Sequence, residues 1–180
     1  LAGARTFAYD HLVLALGSRA RLDLVPGAAE HALPLKTVGD ALHIRNMVLR
    51  RSARIELESD PGLRRRLGRF VVIGGGFSGV ETAGTLADGL AGLGRYYPRT
   101  GAGELEVVLL QDLDRLLPEL PSRLGEVALH SLRSRAIDVR LGARAVEITG
   151  EGVRLADGSF VPASTVVCWF SIMKMSGTDM

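Results

Sequence analysis

Six consecutive residues have the types and spacing of a loop that binds a diphosphate. Residues 74–79 are Gly-Gly-Gly-Phe-Ser-Gly. In the pattern Gly-x-Gly-x-x-Gly the first glycine permits a tight turn, the second lets the backbone approach a pyrophosphate, and the third lets a helix pack closely on a strand. Backbone N–H groups and the positive end of the following helix then receive the diphosphate. The pattern therefore predicts a dinucleotide site built from Gly74, Gly75, Gly76, Phe77, Ser78 and Gly79.

Two other loops that begin with glycine are excluded by the residues that follow. A P-loop needs Lys and then Ser or Thr after the last glycine, but Val80 and Glu81 stand there. The nucleophile elbow of a hydrolase needs glycine two residues before and two residues after its serine. Gly76 precedes Ser78 at that spacing, but position 80 is valine. A glycine turn without a ligand is the remaining alternative, and it is the weaker one.

The elements around the loop follow the order that the glycine pattern requires. The apolar run Phe70–Ile73 is typical of a buried parallel strand, and a helix is predicted from Ser78 to about Leu93. A second strand at Leu105–Leu110, a helix over Pro121–Arg135 and a third strand at Ile137–Leu141 continue the alternation. This order predicts an α/β fold, a Rossmann-like domain with a parallel sheet.

The outer parts of the chain add further predicted elements. Phe7–Ser18 is predicted to be a buried strand, and Arg19–Pro34 has the proline and glycine content of a connecting loop. Asp40 is a candidate cap for a helix that continues to about Glu58. Leu63–Arg69 is a short basic segment. A small antiparallel meander and a last buried strand complete the prediction, over Ala143–Ile148, Val153–Leu155, Phe160–Val161 and Thr165–Cys168.

The end of the second strand bears on the choice of nucleotide. An acidic residue at this place commonly accepts the ribose hydroxyls of NAD, but Leu110 is followed by Gln111 and only then by Asp112. A neutral glutamine does not repel the 2′-phosphate of NADP, and Arg115 lies near it in sequence. We therefore predict that NADPH is accepted alongside NADH. An incidental residue at the strand end is an equally good interpretation of Gln111.

Composition excludes several classes of function. A formal net charge of +2 over 180 residues is too small to indicate a nucleic-acid partner, and the apolar runs are too short to cross a membrane. One cysteine, Cys168, excludes an internal disulfide and is typical of a reducing compartment, so a cytoplasmic location is expected. No metal site is predicted, because the four histidines lack ligand spacing: His11, His31, His43 and His130.

The segment Val71–Gly84, VVIGGGFSGVETAG, resembles the type II NADH dehydrogenase family of flavoprotein NADH:quinone oxidoreductases, within the pyridine nucleotide-disulfide oxidoreductase superfamily. The similarity continues through Arg95–Pro98, Leu116–Pro118 and Leu155–Gly158. It implies an enzyme that transfers hydride from NAD(P)H to FAD and then passes electrons to a quinone. The cofactors implied are NAD(P)H and FAD, and the cofactor carries the chemistry while the protein positions it.

The resemblance also assigns parts of the chain. Residues 1–37 would be the last piece of the FAD-binding domain and the crossover, with Gly17 near FAD; residues 38–168 would be the NAD(P)H-binding domain. Glu81 corresponds to a helix glutamate near the nicotinamide and flavin. From the residues alone, Glu81 is equally well interpreted as a glutamate of the first helical turn, favoured by the helix dipole.

The chain also departs from the family pattern. The glycine motif for the ADP part of FAD is not found, Gln111 replaces the usual glutamate, and residues 169–180 are predicted to be a divergent or truncated tail. The chain is therefore interpreted as a fragment of a longer enzyme, which would be peripheral on the cytoplasmic face of the inner membrane and compatible with a homodimer. Two alternatives stay open: a dinucleotide-binding module without turnover, or a reductase with a disulfide or redox-protein acceptor.

Overall fold

A five-stranded parallel sheet forms the centre of the molecule in the computed structural model, which describes residues 6–13, 15, 20–100 and 103–168. Its strands lie in the order β1-β8-β2-β3-β4. All four pairings are parallel, and Val71 lies between Val108 on one side and Val166 on the other. The strands are β1 (Ala32–Pro34), β2 (Arg69–Ile73), β3 (Glu106–Leu110), β4 (Asp138–Arg140) and β8 (Thr165–Cys168).

A three-stranded antiparallel sheet and five helices within the described residues complete the fold. The small sheet has the order β5-β6-β7. Its strands are β5 (Ala145–Thr149), β6 (Gly152–Leu155) and β7 (Phe160–Pro162). The helices are α1 (Ala28–His31), α2 (Val38–Leu57), α3 (Pro61–Gly68), α4 (Phe77–Ala91) and α5 (Ser122–Ser134). The predicted fold class, a parallel α/β sheet plus an antiparallel meander, is confirmed.

The parallel sheet is covered differently on its two faces, because successive side chains of a strand point to opposite sides. Val71 and Ile73 of β2 pack with buried residues of the small sheet, such as Val153. Phe70 and Val72 pack with buried residues of the long helices, such as Leu90 of α4 and Leu132 of α5. Both faces are apolar, which explains the unbroken apolar runs of β2 and β3.

The predicted loop over Arg19–Pro34 is wrong in its second half. Residues 28–31 form α1, and residues 32–34 pair with β8 as an edge strand. Gly27 makes this path possible, since its φ of +77° is unfavourable for other residues, and a Cβ there would lie 1.9 Å from the carbonyl oxygen of Ile148. The sheet thus begins before residue 38, where we predicted the nucleotide-binding domain to start.

The predicted strand Phe7–Ser18 is not formed where the structure describes it. Residues 6–13 and residue 15 carry no strand, and apolar side chains of this segment are exposed. Phe7 is 75% and Val13 is 85% exposed. An apolar run becomes a strand only when a neighbouring strand takes up its backbone hydrogen bonds, and no strand in the described part of the chain pairs with this run.

Two helix starts also differ from the prediction. The N-cap of α2 is Thr37, whose hydroxyl accepts from the backbone N–H of Asp40, while the Asp40 carboxylate accepts from the backbone N–H of Thr37. Asp40 is therefore the N3 residue of a capping box, the third residue of the helix, and not the cap itself. The basic segment Leu63–Arg69 lies largely within α3, which Asp60 caps through the N–H of Leu63. None of the helices in the described ranges is both long and apolar enough to cross a membrane.

Candidate functional site

The glycine segment 74–79 connects the carboxyl end of β2 to the start of α4, as the sequence predicts. The backbone N–H of Gly74 donates to the carbonyl of Leu110 on β3 at 2.8 Å, so the turn begins in hydrogen-bonded register with the sheet. Gly74 has a φ of +106°, which a residue with a Cβ rarely adopts. The sharp exit from the sheet therefore depends on glycine at this position.

Gly76 and Gly79 are required for different reasons. A Cβ on Gly79 would lie 1.7 Å from the carbonyl oxygen of Gly74, so this glycine lets the helix pack against the turn. A Cβ on Gly76 would meet no heavy atom of the described residues within 4 Å. The missing side chain at Gly76 therefore makes no close packing possible within that part of the chain, and it leaves the backbone open to an approaching molecule.

The amino terminus of α4 is a ready anion site. Its N-cap is Gly76, no side chain caps it, and its first turn holds no acidic residue. The first N–H groups of a helix have no partner within the helix, and the helix dipole adds positive potential at this end. The two features together favour a phosphate at the turn.

Gln111 holds the glycine turn in place. Its side chain is 4% exposed, and its Oε1 accepts from the backbone N–H of Gly75 at 2.9 Å. Its Nε2 donates to the carbonyl of Arg115 at 3.2 Å. From the other side, the backbone N–H of Leu117 donates to the carbonyl of Gly75 at 2.8 Å. Both polar groups of the Gln111 side chain are thus engaged by the protein, which the sequence did not indicate.

Arg115 does not point its charge at the end of β3 as its nearness in sequence suggested. The guanidinium donates to the carbonyl of Pro118 and the residue is exposed. Asp112 is exposed too. The buried residues Leu116 and Leu117 also contact Gly75, and Leu117 adopts a positive φ of 49°. The Leu-Leu-Pro segment carried the family resemblance, but nothing in it signalled a contact with the turn.

A groove of about 740 Å³ lies between α2 and α4 and starts beside the glycine turn. Glu81 and Ser78 line it together with Lys36 and Thr37, and the remaining lining is largely apolar. Glu81 is the fifth residue of α4, beyond the first turn and exposed, so the interpretation as a first-turn glutamate is wrong. Lys36 and Thr37 enter this site without any signal in the sequence beyond their place before a helix.

Two other residues with reactive or aromatic side chains, Cys168 and Tyr96, are not among the described residues that line this groove. Cys168 is fully buried in β8, and burial raises the pKa of its thiol to about 12, so the thiol stays protonated and unreactive. Tyr96 is 66% exposed, and the guanidinium of Arg95 lies over its ring at 4.7 Å from the centroid. Gly17 lies outside the described residues. No cluster of three or more metal-ligating side chains occurs within the described ranges.

Comparison with known proteins places this site in a family. The pattern of the pyridine nucleotide-disulphide oxidoreductases matches residues 2–170. The type II NADH:quinone oxidoreductase Ndh of Mycobacterium tuberculosis is 32% identical over 153 residues, which is 83% of this chain and 32% of that protein. An external alternative NAD(P)H-ubiquinone oxidoreductase of Arabidopsis thaliana mitochondria is 33% identical over 168 residues, 88% of this chain and 28% of that protein.

The fold is shared with solved structures. The structure of NDH2 from Plasmodium falciparum in complex with NADH covers 86% of this chain, with a TM-score of 0.78 and 16% identity, over 33% of its own length. A ferredoxin reductase from Rhodopseudomonas palustris covers 91% with a TM-score of 0.64 and 26% identity, over 35% of its length. The chain thus spans about a third of these relatives. From the family match over residues 2–170, the chain belongs to the pyridine nucleotide-disulphide oxidoreductases.

Proposed function

We propose that this chain is the NAD(P)H-binding part of a flavoprotein NAD(P)H:quinone oxidoreductase. The observation that carries the proposal is the pairing of an uncapped α4 terminus with a Gly76 position that faces open space. A pyrophosphate fits both features, because it brings acceptor oxygens to free N–H groups and needs the room that a Cβ would take. Relatives named as NADH:quinone and NAD(P)H-ubiquinone oxidoreductases support the assignment.

Each residue of the glycine segment has a proposed role toward the dinucleotide. Gly74 makes the turn, Gly76 admits the pyrophosphate, and the backbone N–H groups of Phe77, Ser78 and Gly79 donate to it. Gly75 is fixed by its contacts to Gln111 and Leu117. Phe77 is 58% exposed at the helix start, where its ring is free to cover a bound nucleotide.

Glu81 is proposed to act beyond the pyrophosphate, toward the nicotinamide. It lies one helical turn after Phe77 and Ser78 and lines the α2–α4 groove with Ser78. An exposed carboxylate there can position the carboxamide of the nicotinamide by accepting its N–H donors. When bound, NAD(P)H supplies a hydride to the flavin, and a quinone is the proposed final acceptor.

The flavin and the acceptor are proposed to bind mainly to other parts of a longer enzyme. We propose that residues 1–37 end the FAD-binding domain and form the crossover, with Gly17 near FAD, and that residues 169–180 diverge from the family. The longer enzyme is proposed to lie peripherally at the cytoplasmic face of the inner membrane, where a lipid-soluble quinone is found, and to form a homodimer.

Acceptance of NADPH alongside NADH is also part of the proposal. Gln111 is an amide, so it offers no carboxylate that would repel a 2′-phosphate, and both of its polar groups bind the protein. Arg115 is exposed, and its guanidinium donates to the carbonyl of Pro118, from which it can move toward a phosphate. Comparison of kcat/KM for the two nucleotides in the intact enzyme tests this, and a preference of many hundredfold for NADH contradicts it.

Calorimetric titration of the chain with NADH tests nucleotide binding. Two further measurements test the enzyme class: absorbance in the flavin bands, and oxidation of NADH by a soluble quinone. Bound flavin with quinone-dependent oxidation supports the leading proposal. Binding of NADH with neither flavin nor turnover, in both the chain and the intact protein, favours the binding module. Faster reduction of a disulfide or a redox protein by the intact enzyme favours the alternative acceptors. Failure of the chain to bind NADH contradicts all of these.

A further inference from the structure

Three arginines gather where α2, α3 and the start of β8 meet. One terminal nitrogen of Arg51 donates to the carbonyl of Ser164 at 3.1 Å, and the backbone N–H of Ser164 donates to the carbonyl of Arg66 at 2.9 Å. Burial lowers the pKa of Arg51, and the positive charges of Arg54 and Arg66 lower it further. Arg54 follows Arg51 by three residues on α2, so the two side chains lie on the same face of the helix. The charges of Arg54 and Arg66 therefore both act on the Arg51 guanidinium beside the Ser164 turn.

The arginine cluster, which we define as Arg51, Arg54 and Arg66, contains hydrogen-bond donors that have no acceptor among the described residues. Among the described residues, the buried polar side-chain atoms without a partner are Nε of Arg51, Nε of Arg66 and the hydroxyl of Thr165, the residue after Ser164. Unpartnered buried donors are costly and rare in folded proteins. Their concentration at one turn indicates that an acceptor belongs there.

The acidic residues near these arginines in sequence do not neutralise them. Glu56 accepts from the backbone N–H groups of Arg99 and Thr100, and Glu58 accepts from those of Ser59 and Asp60. Within the described ranges, the ion pair of the cluster is that of Arg66 with the exposed Glu151, and no carboxylate pairs with Arg51 or Arg54. This face of the two helices is therefore positive although acidic residues are interleaved with the arginines in the sequence.

We propose that the arginine cluster and the Ser164–Thr165 turn form a second anion site, which binds a single phosphate group. A phosphate offers more acceptor oxygens than a carboxylate or a halide, and the planar forks of arginine match it. Small rotations of the long side chains turn the Nε donors of Arg51 and Arg66 to these oxygens. The negative charge of the bound phosphate also offsets the repulsion that Arg54 and Arg66 exert on the Arg51 guanidinium.

The site is separate from the glycine turn. Thr165 is paired with Phe70 near the start of β2, whereas Cys168 is paired with Ile73 just before Gly74. The two sites therefore lie at opposite ends of the sheet, about 10 Å apart along the strands. The proposal does not depend on the nucleotide function of the other end.

Calorimetric titration with inorganic phosphate at constant ionic strength tests the site. The titration uses the whole chain carrying Gly76→Ala, so that the glycine turn is not the source of binding. Added Arg54→Gln should weaken phosphate binding about tenfold or more, because a charge-assisted contact is lost. Arg54 is exposed and pairs with no carboxylate among the residues that the structure describes, so the fold should tolerate the change.

Arg65→Gln is the matched control. It removes the same charge from an exposed arginine of α3, but Arg65 lines a different groove with Arg64 and Arg99. The control should bind phosphate within about twofold of its parent. No phosphate binding by the parent, or equal weakening by Arg65→Gln and Arg54→Gln, would overturn the proposal.

A second arm identifies the source of the phosphate. The chain is sedimented with phosphatidylcholine vesicles that contain about one fifth phosphatidic acid, with and without Arg54→Gln. Vesicle binding that Arg54→Gln abolishes and Arg65→Gln does not supports a lipid headgroup. Phosphate binding sensitive to Arg54→Gln, without vesicle binding, supports a free phosphate or a small phosphate ester. Vesicle binding that neither substitution changes, with no phosphate binding, overturns the site.

Discussion

The two ends of the parallel sheet differ in what the protein leaves unsatisfied. At the carboxyl end, backbone N–H groups of α4 have no cap and Gly76 faces open space. At the amino end, ion pairs connect neighbouring elements. Arg69 of β2 pairs with Glu106 of β3 at 2.8 Å, and Arg64 pairs with Glu104 at 2.7 Å. Nucleotide binding and the stability that these two ion pairs supply are thus assigned to different ends, and substitutions should separate them.

The largest effect is expected from Gly79→Ala at the carboxyl end. The new Cβ would lie 1.7 Å from a backbone oxygen, so the helix must shift away from the turn. We expect the free energy of unfolding to fall by about 3 kcal/mol and NADH binding to be lost, as urea denaturation and calorimetry would measure. Gly89→Ala on the same helix meets nothing within 4 Å and should stabilise by up to about 1 kcal/mol. Equal stability of the two variants would contradict this account of the turn.

Gln111→Glu should damage both stability and binding. One carboxylate oxygen can still accept from Gly75, but the other would face the carbonyl of Arg115, to which the amide now donates. A buried charge without a donor should lower the free energy of unfolding by about 2 kcal/mol and weaken NADH binding through the displaced turn. If Gln111→Glu instead binds NADH more tightly at unchanged stability, the residue contacts the ribose and does not hold the turn.

At the amino end, Glu106→Gln should affect stability alone. The Arg69–Glu106 pair is partly buried, with side chains 15% and 29% exposed. Its loss should lower the free energy of unfolding by about 1 kcal/mol in urea denaturation. The Kd for NADH should stay within about twofold of the wild-type value. A large change in that Kd would break the separation between the two ends.

The smallest effect is expected from Asp40→Ala, about 0.5 kcal/mol at neutral pH. The backbone N–H groups of Thr37 and then Lys36 lower the pKa of Asp40. The stabilisation is therefore present above the unfolded pKa of aspartate, about 3.9, and is lost as the pH falls through the lower folded pKa. Unfolding curves of wild type and variant should converge at acid pH; a constant difference down to the lowest pH would contradict the assignment.

Prediction from sequence succeeded where local patterns decide structure. The runs of β2 and β3 are apolar because the sheet is covered on both faces, and the glycine segment needs its glycines for local backbone reasons. Prediction failed where the structure of a segment depends on a partner that is distant in the sequence. The strand β1 exists because it pairs with β8, more than a hundred residues later.

The contacts of Gln111 at the glycine turn also depend on residues that the local sequence pattern does not determine. The role of Gln111 depends on the path of residues 115–117, which brings one carbonyl and one N–H to the glycine turn. No periodicity or propensity encodes that path. The positive charge of the arginine cluster could not be predicted from the sequence for a related reason. Glu56 and Glu58 accept from backbone N–H groups and do not pair with these arginines.

The most direct test of the central claim is calorimetric titration of NADH into wild type and Gly76→Ala. Gly76 has a φ of −76°, which alanine adopts freely, and its Cβ would meet no heavy atom of the described residues within 4 Å. We expect the free energy of unfolding in urea to fall by no more than about 1 kcal/mol, because alanine is a poorer N-cap residue than glycine. We expect the Kd for NADH to rise at least tenfold, because the methyl group occupies the space of the pyrophosphate. Gly94→Ala should bind NADH as wild type does, because Gly94 lies beyond the end of α4 and a Cβ there also meets no heavy atom of the described residues within 4 Å. Binding by Gly76→Ala within twofold of wild type would contradict the claim that this open position admits the nucleotide.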